Sequence, residues 1–164
     1  MTIKLNSYSL PEDTIIKMRQ KIEETRQKQV ELGFGLCRMK NINTLRPGLD
    51  CTGNECSIEQ WPECRTGVYV GGFHTHPDEV AEPSIADLRN AYINDVECVG
   101  SPKENAIRCF VRKGIRKSDE EKNITSIDNE FKSISGNLTQ EQYINWKNAR
   151  DEIWSKHFDT VIVK

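Results

Sequence analysis

Val68-Tyr69-Val70-Gly71-Gly72-Phe73-His74-Thr75-His76-Pro77, running on through Asp78-Glu79-Val80-Ala81-Glu82-Pro83 to Ser84-Ile85-Ala86-Asp87, is the stretch around which the chain is organised. Its first six residues are β-branched, aromatic and glycine types, which predicts a buried strand running into the two histidines. Side chains alternate faces along a strand, so His74 and His76 point to one side and Thr75 to the other. Pro77 cannot continue a central strand, and Pro83-Ser84 opens a helical pattern with Ser84 as N-cap. Asp87 follows three residues later on the same helical face. Strand end, loop and helix start thus offer two neutral imidazole nitrogens and one carboxylate to a single ion. That is the ligand set of a catalytic zinc, which keeps a fourth position for water, whereas a structural zinc is closed by four protein ligands. Taken separately, His-x-His carries little weight and Ser-x-x-Asp is a common helix start. The chain has only three histidines, however, and two of them fall here; the third is His157.

His74-x-His76-Pro77, seven residues, then Ser84-x-x-Asp87 resembles the signature of the JAMM (MPN-plus) zinc metallopeptidases. The resemblance implies that His74, His76 and Asp87 bind one catalytic zinc and that Ser84 assists at the transition state. It also implies a general base, a glutamate on an earlier strand, which here matches Glu31 in Val30-Glu31-Leu32-Gly33-Phe34-Gly35-Leu36-Cys37. Glu79 and Glu82 are the nearest other carboxylates in the motif loop. The implied fold is α/β, a JAMM/MPN-type mixed sheet flanked by helices, over residues 1–113. The resemblance does not extend to residues 114–164, whose own pattern predicts a mostly helical C-terminal extension packed on the same domain. The family cuts peptide or isopeptide bonds at the C-terminal diglycine of ubiquitin or of ubiquitin-like and sulfur-carrier proteins, so the expected partner is a ubiquitin-like protein or its conjugate.

Outward from the motif, 164 residues suit one domain with a real core. Ile3 and Leu5 alternate with polar residues as in a short strand. Ser9-Leu10-Pro11-Glu12 predicts a capped helix start, with Ile15, Ile16, Met18 and Ile22 as its apolar stripe. Residues 30–39 read as the strand carrying Glu31, and 40–66 as a long connection punctuated by Pro47-Gly48, Gly53-Asn54 and Pro62. That connection holds Cys51, Cys56 and Cys64, for which reduced packing, a disulfide between two of them and a second metal all stand open. Cys37, Cys98 and Cys109 lie in apolar strand patterns and are expected in the core. After a helix over about 84–94, Val96–Ser101 and Ala106–Val111 predict two strands joined by a turn. Ile124, Ile127, Phe131 and Ile134 recur at helical spacing. Thr139 caps a second helix bearing Tyr143, Trp146, Ala149, Ile153 and Trp154, a stripe expected to pack against the domain. His157 is expected as a helix-end cation, and Asp159–Val163 as a short strand or an apolar tail.

The formal net charge is −2, from 23 Lys and Arg against 25 Asp and Glu, with the signs interspersed. This gives no electrostatic case for nucleic acid or an anionic membrane. No run is long enough for a membrane span and the first residues lack the apolar core of a signal peptide, so a cytoplasmic location is expected. The sequence sets no oligomeric state. Two alternatives to a peptidase stand: a non-catalytic MPN-type scaffold or interaction module, against which the complete ligand set argues, and a nucleic-acid-associated relative, against which the charge argues.

Overall fold

The computed structural model describes residues 1–39, 42–56, 64–134 and 136–164. In chain order it contains β1 (Ile3–Leu5), β2 (Tyr8–Leu10), α1 (Glu12–Lys28), β3 (Leu32–Arg38), β4 (Leu45–Thr52) and β5 (Val68–Thr75). These are followed by α2 (Ile85–Asn94), β6 (Val96–Ser101), β7 (Ala106–Arg112), α3 (Ser118–Ser133), α4 (Gln140–His157) and β8 (Phe158–Val163). The fold is mixed α/β. Six strands form one sheet in the order β4-β3-β5-β6-β7-β8, and β1 pairs with β2 in a separate hairpin.

β5 sits inside the sheet, antiparallel to β3 and parallel to β6. A parallel neighbour needs a crossover connection, and α2 supplies it between β5 and β6. The strand is buried on both faces from Val70 to Thr75, which is why its sequence is a continuous apolar run. Gly71 adopts φ 151°, and a Cβ there would lie 1.6 Å from the Val96 carbonyl oxygen. Gly33 lies directly opposite His74, where a Cβ would meet the Phe73 carbonyl oxygen at 2.1 Å. Glycine at these two positions lets β3 and β6 close on the strand that carries the histidines.

The two faces of the sheet carry two cores. On one, Ile15, Met18 and Ile22 of α1 pack with Phe34, Leu36, Phe73, Cys98 and Ile107. On the other, Ile85, Leu88, Ala91 and Tyr92 of α2 pack with Val99, Phe110, Ile124, Ile153 and Phe158. Phe73 faces α1, and the Thr75 hydroxyl is 2.7 Å from that of Thr25 on the same helix. His74 therefore faces α2, as the alternation along a strand requires. Ile16, expected in the apolar stripe of α1, is 49% exposed.

Several expectations are corrected. Helix α1 begins at Glu12 behind Pro11 with no side-chain cap, because Ser9 lies on β2 and its hydroxyl accepts from Lys4 Nζ. β3 starts at Leu32, one residue after Glu31. The connection 40–66 contains β4 and a short 3-10 turn at Gly53–Cys56, and β4 is the edge strand beside β3; its 40–41 and 57–63 lie outside the described residues. His157 ends α4 but is buried edge-on against Tyr92, 3.6 Å from Glu120. Burial lowers its pKa despite the nearby carboxylate, which disfavours the expected cation. Tyr143 of the aromatic stripe is exposed, whereas Ile153 is buried and Trp146, Ala149 and Trp154 pack against the α2 core. Of the two forms expected for residues 159–163 the strand is found: β8 pairs antiparallel with β7 in the main sheet.

The cysteines depart furthest from expectation. Cys37–Cys64, Cys51–Cys56 and Cys98–Cys109 are disulfides, and no cysteine is free. Cys98 and Cys109 face each other in the β6–β7 ladder, and Cys51 meets Cys56 across the turn that ends β4. Disulfides are uncommon in a reducing cytosol, so three of them sit poorly with the expected cytoplasmic location. No helix among the described residues is long and apolar enough to cross a membrane.

Candidate metal centre

Three segments deliver ligating atoms to one point. The end of β5 presents His74 and His76 with their Nε2 atoms 3.1 Å apart. Asp87, in the first turn of α2, places Oδ1 3.2 Å from His74 Nε2 and Oδ2 3.6 Å from His76 Nε2. Zinc bound tetrahedrally at about 2.0–2.1 Å has ligand–ligand edges of about 3.3 Å, close to the 3.1 Å between the two Nε2 atoms, and one atom from each of the three residues lies within 4.8 Å of the others. This His-His-Asp group could hold a metal ion.

Each of the three side chains is held from behind. His74 Nδ1 lies 2.9 Å from Glu97 Oε1, and His76 Nδ1 lies 3.2 Å from the Val80 carbonyl oxygen. The His76 backbone N–H donates to the Gly100 carbonyl at 2.9 Å, fixing the chain just past the strand. Asp87 is half of a capping box: its N–H donates to Ser84 Oγ at 3.0 Å, and Ser84 N–H donates to its Oδ2 at 3.0 Å. The helix N-terminus favours that carboxylate electrostatically. The residue that signals the helix start is thus also the one that could ligate a metal.

Charge at the site follows from its burial. Burial works to raise the pKa of Asp87, but His74 and His76 outweigh it by charge and hydrogen bonding and hold the carboxyl well below the usual carboxylate range. Burial likewise opposes a charged His74, yet Asp87 and Glu97 raise that imidazole well above its ordinary 6.5. Glu31 shares the face of Gly33, and therefore of His74, two residues along. Its carbonyl accepts from Gly53 N–H at 2.6 Å. Burial pushes its carboxyl up; the histidines pull the other way and Asp87 and Glu79 add to the rise.

Ser84 is half-buried and lines two cavities, of about 500 and about 330 Å3, both bordered by Trp146 of α4. The two other carboxylates of the motif loop have different surroundings. Glu82 is paired with Arg150 at 3.2 Å and Arg108 at 3.7 Å, which fastens the loop. Glu79 is largely exposed and stands 4.0 Å from His76 Nδ1. Sequence reasoning missed Glu97 and its partner Asn90. An ionisable residue inside the apolar run of β6 was the available signal.

The chain matches no protein-family model, and no curated protein matches it.

Proposed function

We propose that the protein is a zinc-dependent peptidase or isopeptidase of the JAMM type, hydrolysing an amide bond at the C-terminal diglycine of ubiquitin or of a ubiquitin-like or sulfur-carrier protein. The observation that carries this is the convergence of His74 Nε2, His76 Nε2 and the Asp87 carboxylate beside Glu31, a half-buried carboxyl with raised proton affinity. Two imidazoles and one carboxylate are a catalytic zinc set, and such an ion lowers the pKa of water and polarises a carbonyl.

The chain's own groups do the rest. Glu31, made more basic by burial, accepts the proton of the attacking water and passes it to the departing amine. Ser84 Oγ already accepts the Asp87 N–H, so its own proton is available to a carbonyl oxygen as negative charge develops there, a contribution typically worth about 2.7–4 kcal/mol for one donor. Asp87 keeps its charge at neutral pH and so remains a ligand rather than a competing base. A diglycine tail suits the site because glycine lets the backbone approach closely.

The test is metal content by mass spectrometry together with cleavage of a panel of ubiquitin-like fusions bearing a diglycine junction. One zinc per chain is expected, with cleavage abolished by a chelator and restored by zinc. Stoichiometric zinc with no cleavage of any fusion, under conditions where the chain is folded, would leave a metal protein with a different activity.

A further inference from the structure

We propose that Glu97, on the strand beside β5, is a positioning residue: it holds His74 with the Nε2 lone pair turned to the metal side, and Asn90 and the Gly72 amide hold Glu97. The inference rests on His74, His76 and Asp87 being a metal site and concerns how the fold prepares one of those ligands.

Glu97 is 2% exposed and lies opposite Gly72 in the parallel β5–β6 pair. A carboxylate buried that deeply is costly unless its oxygens are fully used. They are used in a fixed sense. Asn94 Nδ2 donates to Asn90 Oδ1 at 2.6 Å, which turns the Asn90 NH2 group toward Glu97, and Asn90 Nδ2 donates to Glu97 Oε2 at 2.7 Å. The Gly72 backbone N–H, which can only donate, reaches the same oxygen at 3.2 Å. The other oxygen, Oε1, lies 2.9 Å from His74 Nδ1. With Glu97 ionised its oxygen only accepts, so a His74 that has given up its second proton to a metal keeps the remaining one on Nδ1 and turns the Nε2 lone pair to the ion. His76 reaches the same state by a different route, with the Val80 carbonyl oxygen 3.2 Å from its Nδ1.

The donors converging on Oε2 make the arrangement sensitive to an amide. In Glu97→Gln the amide oxygen has to face Asn90 and Gly72, since the other orientation sets an NH2 group against two donors. The NH2 group then faces His74 Nδ1, which must accept, and the imidazole proton moves to Nε2, where it blocks metal. A change that alters no volume therefore reverses a tautomer.

The experiment uses Co2+ alone as the probe, with affinity measured by competition against a chromogenic chelator. Glu97→Gln is expected to bind Co2+ about 10–100-fold more weakly than the parent, the usual cost of losing such a partner. Glu97→Gln combined with Asn90→Asp restores an acceptor behind the glutamine NH2 group, lets its oxygen accept from His74 again, and should recover part of the affinity. In the Co2+-loaded parent, proton NMR should show an exchangeable, hyperfine-shifted ring N–H from each of His74 and His76, the His74 signal exchanging slowly. That spectrum needs no variant, so the inference remains decidable if Glu97→Gln fails to fold: a loaded parent lacking a His74 Nδ1–H overturns it. Parent-like affinity in Glu97→Gln also overturns it while leaving the metal site standing. Failure of the parent itself to bind Co2+ removes the metal reading and this inference with it.

Discussion

Glu31→Gln should inactivate the protein and stabilise it at the same time. The substitution keeps shape and volume, and the backbone at this position is fixed independently by the Gly53 N–H to Glu31 carbonyl hydrogen bond. The functional side follows from the role: loss of a general acid–base group costs about 10²–10⁴ in rate, or about 2.7–5.4 kcal/mol in the barrier. The stability side follows from burial, which raises the Glu31 pKa above its ordinary 4.5, with Asp87 and Glu79 adding to the rise and the histidines opposing it. A carboxyl whose folded pKa is raised contributes stability below its unfolded pKa and loses that contribution as pH climbs through the folded value. At neutral pH the parent therefore carries an unfavourable ionised group that the glutamine lacks. The metal-free variant should melt above the parent at neutral pH, and the gap should close on acidification toward pH 4; each kcal/mol corresponds to about 2–4 °C in a chain of this size. The assay is zinc content, melting temperature at two pH values, and turnover of a diglycine-linked ubiquitin-like fusion. Retained turnover with retained zinc would refute Glu31 as the base, and zinc lost with the substitution would make it a ligand.

His74→Ala combined with His76→Ala should abolish zinc binding, and full zinc occupancy in that variant by mass spectrometry would sink the ligand assignment. Ser84→Ala should lower turnover by about 10²–10³-fold through the lost oxyanion donor and destabilise by about 0.5–2 kcal/mol through the lost cap; a stability change without a rate change would confine Ser84 to capping. Disulfide reduction should lower the denaturation midpoint, with Cys37–Cys64 contributing most because its sequence separation of 27 exceeds 11 and 5 for the others; the chain-entropy relation gives about 3.6, 2.8 and 2.1 kcal/mol respectively. Gly33→Ala should force β3 away from β5 at the Phe73 carbonyl and so displace Glu31, lowering turnover more than zinc content; unchanged turnover would show that the strands have slack there.

The motif was legible because each of its steps is local. A period of two puts His74 and His76 on one face, and Ser84-x-x-Asp87 is a capping box, as the cap geometry bears out, which also brings the Asp87 carboxylate to the two imidazoles. What failed was long-range. β4 was hidden in the 40–66 connection because Pro47, Gly48 and charged residues mask a strand that pairs on one edge only. Cys98 opposite Cys109 was within reach: a hairpin closing on Ser101 and Ala106 sets residues three away on either side face to face. Cys37 with Cys64 was not, since the partners are brought together through the register of β3 with β5 and not through spacing. Glu97 was missed for a related reason. Its significance lies in a parallel pairing across the α2 crossover, which composition does not reveal.

The charges around the centre bear on one another in a way no single residue shows. Glu31, Asp87 and Glu97 bring three carboxyls about two imidazoles in a largely buried space, an excess of negative charge that the fold must relieve. Without an ion, relief comes from protons: His74 is raised well above 6.5, burial lifts Glu97 to about 7 against the opposing pull of His74, and Glu31 is raised as well. Only Asp87 stays firmly ionised, between two imidazoles at a helix N-terminus. A divalent cation replaces those protons with fixed positive charge, and His74 must release its own proton to bind it, so metal uptake releases protons and weakens as pH falls. That exchange of protons for a cation is consistent with His74, His76 and Asp87 being able to hold a metal ion.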